Sequence, residues 1–199
     1  MSSFIENLIN LDTKVFYWIN QMHNPVADII LWVLSEGWSW AILLIGVFIF
    51  ITLRKYPKTW FLILIGIILC FLFADRISVM CFKDVFMRLR PCHALGDSVR
   101  LFGGHCGGQY GFISSHAANS FALASFLALT YKNIKYFPLM IILWAALVAY
   151  SRPYLGVHYP GDILCGAIVG MGLGYLVYFL VSKLKLLLER KFNMRFLKK

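Results

Sequence analysis

The 199-residue chain is 60% hydrophobic and 14% charged, with a mean hydropathy of +0.74 and a net charge of +10. A soluble domain of this length carries about 45–50% apolar residues, so the composition excludes one. The basic residues crowd next to the apolar runs, so the charge reads as facing a membrane surface, and no nucleic-acid partner is expected.

Residues 1–36 do not read as a cleavable leader, because Glu6, Asp12 and Lys14 interrupt the apolar run and no basic segment precedes one. Phe4, Ile5, Leu8 and Ile9, followed by Val15, Phe16, Trp18 and Ile19, have the spacing of an amphipathic helix lying at the interface. Pro25 opens a second short apolar piece, Val26 to Leu34; a sixth, poorly formed span here is the alternative. Five runs then approach the about 17–25 residues a bilayer requires. They are Gly37 to Leu53, Trp60 to Phe82, Ile113 to Tyr131, Tyr136 to Tyr150 and Tyr159 to Val181. The expected fold is an all-α integral membrane bundle of five or six transmembrane helices. Residues 1–36 form an interfacial segment and 37–199 a single domain with a basic tail from about 183. Asp75 and Arg76, inside the second run, are expected to pair within the bundle.

Positive charge clusters at Arg54, Lys55 and Lys58, at Lys132 and Lys135, and at Lys183, Lys185, Arg190, Lys191, Arg195, Lys198 and Lys199. With five spans all three clusters fall on one side, which the positive-inside rule places in the cytoplasm. The 83–112 and 151–158 loops then face outward. The basic tail is expected to touch anionic lipid.

Those outward segments carry the costly residues. Lys83 and Arg90 lie seven apart and would share one face if the segment were helical. Ser114, Ser115 and His116 open the third span. Between the last two spans, the stretch Ser151 to Asp162 sets Arg152, His158 and Asp162 in an otherwise apolar context. Titratable groups at such depth are rare unless used. Arg152 can hold an anion, His158 can act as a nucleophile, and Asp162, four residues on, can fix the ring. The grouping suggests chemistry on a phosphate at a membrane surface.

These segments resemble the three signature motifs of the type 2 phosphatidic acid phosphatase superfamily: K-x6-R-P, P-S-G-H and S-R-x5-H-x3-D. The first is matched through Lys83, Arg90 and Pro91, and the third through Ser151, Arg152, His158 and Asp162. The second is matched at Ser114 and His116, with Ile113 in place of Pro and Ser115 in place of Gly. The resemblance implies a membrane lipid-phosphate phosphatase. His158 would become a phosphohistidine, and Asp162 would hold its tautomer. His116 would protonate the leaving oxygen and then activate water. Lys83, Arg90, Arg152, Ser114 and Ser115 would bind the phosphate. It implies no cofactor and no metal. Among bacterial members the substrates include undecaprenyl diphosphate, lipid A phosphates, phosphatidylglycerol phosphate and phosphatidate, and the compact chain is most similar to the first two kinds. The implied place is the cytoplasmic (inner) membrane, with the site facing the periplasm. A lipid phosphotransferase would use the same residues, and a non-enzymatic transporter or scaffold is the remaining alternative. The oligomeric state is not readable.

Cys92 and Cys106 share the outward loop, flanked by His93 and His105. A disulfide suits an oxidising exterior; free thiols or a two-Cys, two-His zinc site are the alternatives. Gly166, Gly170 and Gly174 recur every fourth residue in the last span, giving a surface for close helix packing inside the monomer.

Overall fold

The computed structural model describes residues 3–196. Among them the regular structure is helical apart from a single bridge between Leu89 and Tyr110. In chain order the helices are α1 (Ser3–Gln21), α2 (Pro25–Ser35), α3 (Gly37–Lys55), α4 (Trp60–Phe86), the one-turn α5 (Pro91–Ala94), α6 (Ser115–Thr130), α7 (Phe137–Tyr154) and α8 (Pro160–Phe196). Lys198 and Lys199, placed in the basic tail by sequence, lie outside the described residues, as does the Arg195 side chain.

Among the described residues, four helices are long and apolar enough to cross a membrane: α3, α4, α7 and α8 through Lys191. α6, the third expected span, is 16 residues long and is the centre of the bundle. It packs against α8, α7 and α4. Its sequence explains the position. Ala117, Ala118, Ala122 and Ala124 are fully buried and let neighbours approach, while Leu123, Phe126 and Leu127 fill the space between them. Ile63, Ile67 and Cys70 of α4, Ile141 and Ala145 of α7, and Val177 of α8 complete this core.

The outer faces are equally apolar. Ile42, Leu64, Ile68, Met140, Leu164, Ile168 and Phe179 are all exposed. In water such a surface would be a continuous sticky patch; around a bundle of this length it is a lipid-facing belt. α2 has 11 residues and reaches about 16 Å, roughly half a hydrocarbon core.

The glycine spacing in α8 performs the expected task within the monomer. A Cβ at Gly166 would sit 2.7 Å from the Ser114 carbonyl oxygen, and Cβ atoms at Gly170 and Gly174 would strike the carbonyls of Ala118 and Ala122. α6 and α8 therefore meet backbone to backbone. Asp75 and Arg76 do not pair: both are exposed, and neither joins an ion pair among the described residues. Consecutive helical residues point about 100° apart, so adjacency in sequence works against a contact.

α1 and α2 are tied to the bundle by polar contacts. The buried Asn20 donates to the carbonyls of Arg100 (2.9 Å) and Tyr154 (3.0 Å) and accepts from the Arg100 amide (2.9 Å). Asp28 accepts from the Tyr154 hydroxyl at 2.8 Å and forms an ion pair with Arg100. Phe16 and Ile19 are buried beneath this clamp, while Phe4, Ile5, Leu8 and Trp18 stay exposed.

Candidate active site

The site forms where one end of α4, α6, α7 and α8 meets the 87–111 loop. Each helix delivers its residues by a local departure from regularity. α4 winds as a π-helix over Ser78–Lys83, a widened turn that re-aims the side chains following it. The chain then leaves the helix at Met87, whose φ of 45° is left-handed. Lys83 and Arg90 consequently do not share a helical face as their spacing had suggested. Arg90 stands in an extended segment paired to the returning loop: its amide donates to the Gln109 carbonyl (3.1 Å), and the Gly111 amide donates to Arg88 (2.8 Å). Pro91, which cannot donate an amide hydrogen, opens α5 immediately after. The structure joins Cys92 to Cys106, with Cα atoms 6.0 Å apart, which closes this loop beneath Arg90.

Ser114 caps α6, its hydroxyl accepting from the Ala117 amide at 3.4 Å, and it is fully buried. Ser115 faces α4 instead. Its hydroxyl lies 2.7 Å from Lys83 Nζ and 2.7 Å from Ser78 Oγ. The side chain found where the family motif has Gly thus turns away from the helix axis and holds the lysine. His116 follows on the same turn, packed edge-on to Trp40 with ring centroids 5.8 Å apart.

α7 runs four residues further than the apolar pattern indicated, so Ser151 and Arg152 lie in its last turns rather than in a loop. Pro153 is tolerated there because the helix ends one residue later. Among the described residues, Arg152 Nε is buried without a hydrogen-bond partner. Together with His116, Arg152 lines a 230 Å³ cavity whose wall includes Trp32, Glu36 and His105.

His158 occupies the short loop from Leu155 to Tyr159 and is 1% exposed. Asp162 is 0% exposed and folds back over the first turn of α8. Its Oδ2 lies 3.3 Å from His158 Nδ1 and accepts the Tyr159 amide at 3.0 Å. Burial, reinforced by Arg90, Arg152 and Lys83, holds the His158 imidazole well below its ordinary pKa of 6.5, so the ring is neutral at physiological pH. Gly111 permits this packing: a Cβ there would lie 3.1 Å from Asp162 Oδ2 and 3.5 Å from His158 Nδ1.

All eight residues read from the motifs meet in this one region. Two that the motifs do not include are here as well. Arg88 donates to Asp162 Oδ1 at 2.9 Å and, with its other terminal nitrogen, to Asp12 Oδ2 at 2.7 Å. Asp12 comes from α1, a segment whose apolar spacing carried no hint of a contact more than seventy residues away.

Fold and site together define a helical integral-membrane phosphatase. The PAP2 superfamily model matches residues 60–186. Two relatives named lipid A 4'-phosphatase are 35% identical over 176 residues (Porphyromonas gingivalis; 87% of this chain, 74% of the relative) and 34% identical over 183 residues (Bacteroides thetaiotaomicron; 90% and 81%). The crystal structure of Aquifex aeolicus LpxE superposes with a TM-score of 0.63 at 24% identity, covering 84% of this chain and 94% of that one. The PAP2 type phosphatidylglycerolphosphate phosphatase from Bacillus subtilis superposes with a TM-score of 0.67 at 19% identity, covering 90% and 86%. The chain belongs to the PAP2 superfamily and is a phosphatase of that family.

Proposed function

We propose that the protein hydrolyses phosphate from lipid A, at the 4' position, through a phosphohistidine on His158 at the periplasmic face of the cytoplasmic membrane. The observation that carries the chemistry is a buried His158 whose Nδ1 lies 3.3 Å from Asp162 Oδ2, with Arg90, Arg152 and Lys83 around it. With Nδ1–H donated to Asp162, the Nε2 lone pair is free to attack phosphorus. The phosphorus–nitrogen bond forms as the bond to the lipid oxygen breaks, and His116 gives that oxygen its proton. In the second half His116 takes a proton from water, whose oxygen bonds to phosphorus as the phosphorus–nitrogen bond breaks and its electron pair returns to His158 Nε2, and phosphate leaves. The three cations, with the amides opening α6, stabilise charge spread over the equatorial oxygens.

The two relatives named lipid A 4'-phosphatase support this substrate. Two features support the periplasmic face. The site-side loop holds a disulfide, as suits an oxidising compartment. The basic end of α8, from Lys183, lies about 32 Å along the helix from Asp162, one hydrocarbon core away. In this reading 37–199 is the transmembrane phosphatase domain, 1–36 lies at the interface, and the tail lysines and arginines meet anionic lipid.

The test is phosphate release by purified protein from lipid A, undecaprenyl diphosphate, phosphatidylglycerol phosphate and phosphatidate, without an acceptor lipid. Lipid A is expected to lose its 4'-phosphate, with no effect of EDTA and no activity in H158A. Undiminished H158A activity or strong EDTA inhibition would overturn the mechanism. A reporter fused after Lys199 should read cytoplasmic, and impermeant thiol reagent should reach Cys92 or Cys106 after reduction of intact cells.

A further inference from the structure

Asp162 has more to satisfy than His158. Its Oδ2 holds the His158 ring and the Tyr159 amide, and both contacts leave the carboxylate free to turn about its own axis. The contact on Oδ1 is Arg88, at 2.9 Å. A guanidinium is a planar fork, so its orientation is set only when a second group engages the other tine. Asp12 does so at 2.7 Å. The Tyr159 ring closes the remaining face, 4.1 Å from the guanidinium carbon. Asp12 is in turn fixed by the Gly161 amide, which donates to its Oδ1 at 2.7 Å. A Cβ on Gly161 would lie 2.9 Å from Asp12 Oδ2, so the glycine is what lets α1 come this close.

The arrangement is a chain of alternating charge: Asp12, Arg88, Asp162, His158. Arg88 stands on the side of Asp162 away from the imidazole and has both terminal nitrogens engaged, so it is not a fourth phosphate ligand. Arg90, two residues on, is held differently, its Nε 3.4 Å from the Tyr110 carbonyl and its fork beside Gly107. The left-handed Met87 and the bridge from Leu89 to Tyr110 fix the extended segment that carries both arginines.

We propose that Arg88 and Asp12 are positioning residues for the nucleophile, acting through Asp162, and that α1 is through Asp12 a working part of the active site. The inference rests on His158 being the nucleophile. A neutral histidine aimed by a carboxylate loses rate when the carboxylate's own support is removed. Outer partners of this kind typically contribute about 10–100-fold.

The test is a double-mutant cycle on the full-length enzyme with lipid A as substrate, alongside H158A and the wild type. D12N keeps an acceptor for the Gly161 amide while removing the charge that faces Arg88, so it separates the relay from the docking of α1. D12N is expected to lower kcat about tenfold and R88A about 100-fold, both with KM within about twofold, because the phosphate ligands are untouched. D12N/R88A should be no slower than R88A alone, since one relay cannot be broken twice. R88K, which keeps the charge but loses the fork, should stay close to R88A. Each variant is checked by size-exclusion profile and thermal midpoint. A multiplied loss in the double variant, a rise in KM with kcat intact, or a wild-type rate in D12N would overturn the proposal. An active H158A would instead overturn the reading of the nucleophile, and the two failures are therefore distinguishable.

Discussion

The Lys83 ammonium donates to the Ser115 hydroxyl at 2.7 Å, across the junction between the π-helical end of α4 and the first turn of α6. Ser78 Oγ sits 2.7 Å from the same hydroxyl, so the serine is held from two sides. Lys83 has three donors and this contact uses one, leaving two for a phosphate oxygen. A hydrogen bond to a charged group contributes about 1.5–3 kcal/mol. Ser115 thus replaces the backbone freedom of a glycine with a fixed direction for the lysine.

Removing that contact should loosen the phosphate rather than the chemistry. S115A is expected to raise KM about three- to tenfold while kcat changes less than twofold. S115G should do the same. Steady-state kinetics on both variants, with lipid A, settles the point; a kcat loss at unchanged KM would place Ser115 in the reaction itself.

The proposed division of labour between the two histidines predicts different failures. D162N should reduce kcat about 10³–10⁴-fold, because an amide can stabilise the wrong imidazole tautomer. H116N should be partly active in the first half-reaction with an aryl phosphate, whose leaving oxygen needs no proton. It should then stall, because water is no longer activated. H116N quenched in alkaline detergent is expected to carry alkali-stable, acid-labile phosphate on His158. An H116N protein that turns over aryl phosphate at the wild-type rate contradicts the second role.

His158 makes its own contribution to the pH dependence, which its replacement isolates. Burial and three nearby cations keep its folded pKa well below 6.5, so the folded protein refuses a proton that the unfolded chain accepts. The associated stability is fully present above about pH 6.5 and declines as pH falls toward the folded pKa. The thermal midpoint in detergent should therefore drop more steeply between pH 7 and 5 for the wild type than for His158→Gln. Parallel slopes would mean that the ring is protonated in the folded state.

Much of this was legible because hydrophobic runs and polar interruptions are one-dimensional signals. The spans emerged from apolar length, and Lys83, Arg90, Ser114, Ser115, His116, Arg152, His158 and Asp162 from motif spacing. What spacing could not reveal was geometry set by tertiary contacts. The helix carrying Lys83 stops at Met87, a residue with no intrinsic preference for a left-handed turn, because the returning loop pairs with Leu89 and holds it. α7 continues through Arg152 because its polar end is buried by α1 and α2 rather than lost to water. Asp12 looked like an interruption of an amphipathic pattern; only its distance from Gly161 and Arg88 gives it a partner.

The Cys92–Cys106 bond closes the loop that presents Arg90. Cross-linking across a loop of this size restrains the unfolded chain by about 3 kcal/mol. Reduction, or C92S/C106S, should lower the thermal midpoint and raise KM, since Arg90 loses part of its support. An unchanged KM with a lowered midpoint would show that the bond stabilises the loop without ordering the phosphate ligand.

The packing of α8 on α6 offers the sharpest structural comparison, because neighbouring glycines on one helix face different surroundings. Gly170 lies against the Ala118 carbonyl, whereas a Cβ at Gly172 meets nothing within 4 Å. Gly170→Leu forces the helices apart where overpacking costs about 1–3 kcal/mol or more. It also shifts Asp162, in the first turn of α8, and His158, in the loop just before it, relative to His116 on α6. Both thermal stability and kcat should fall. Gly172→Leu adds the same side chain to a lipid-facing position and should leave both within about twofold or a few degrees of the wild type. If the two substitutions behave alike, the seam between α6 and α8 does not set the distance between the two histidines.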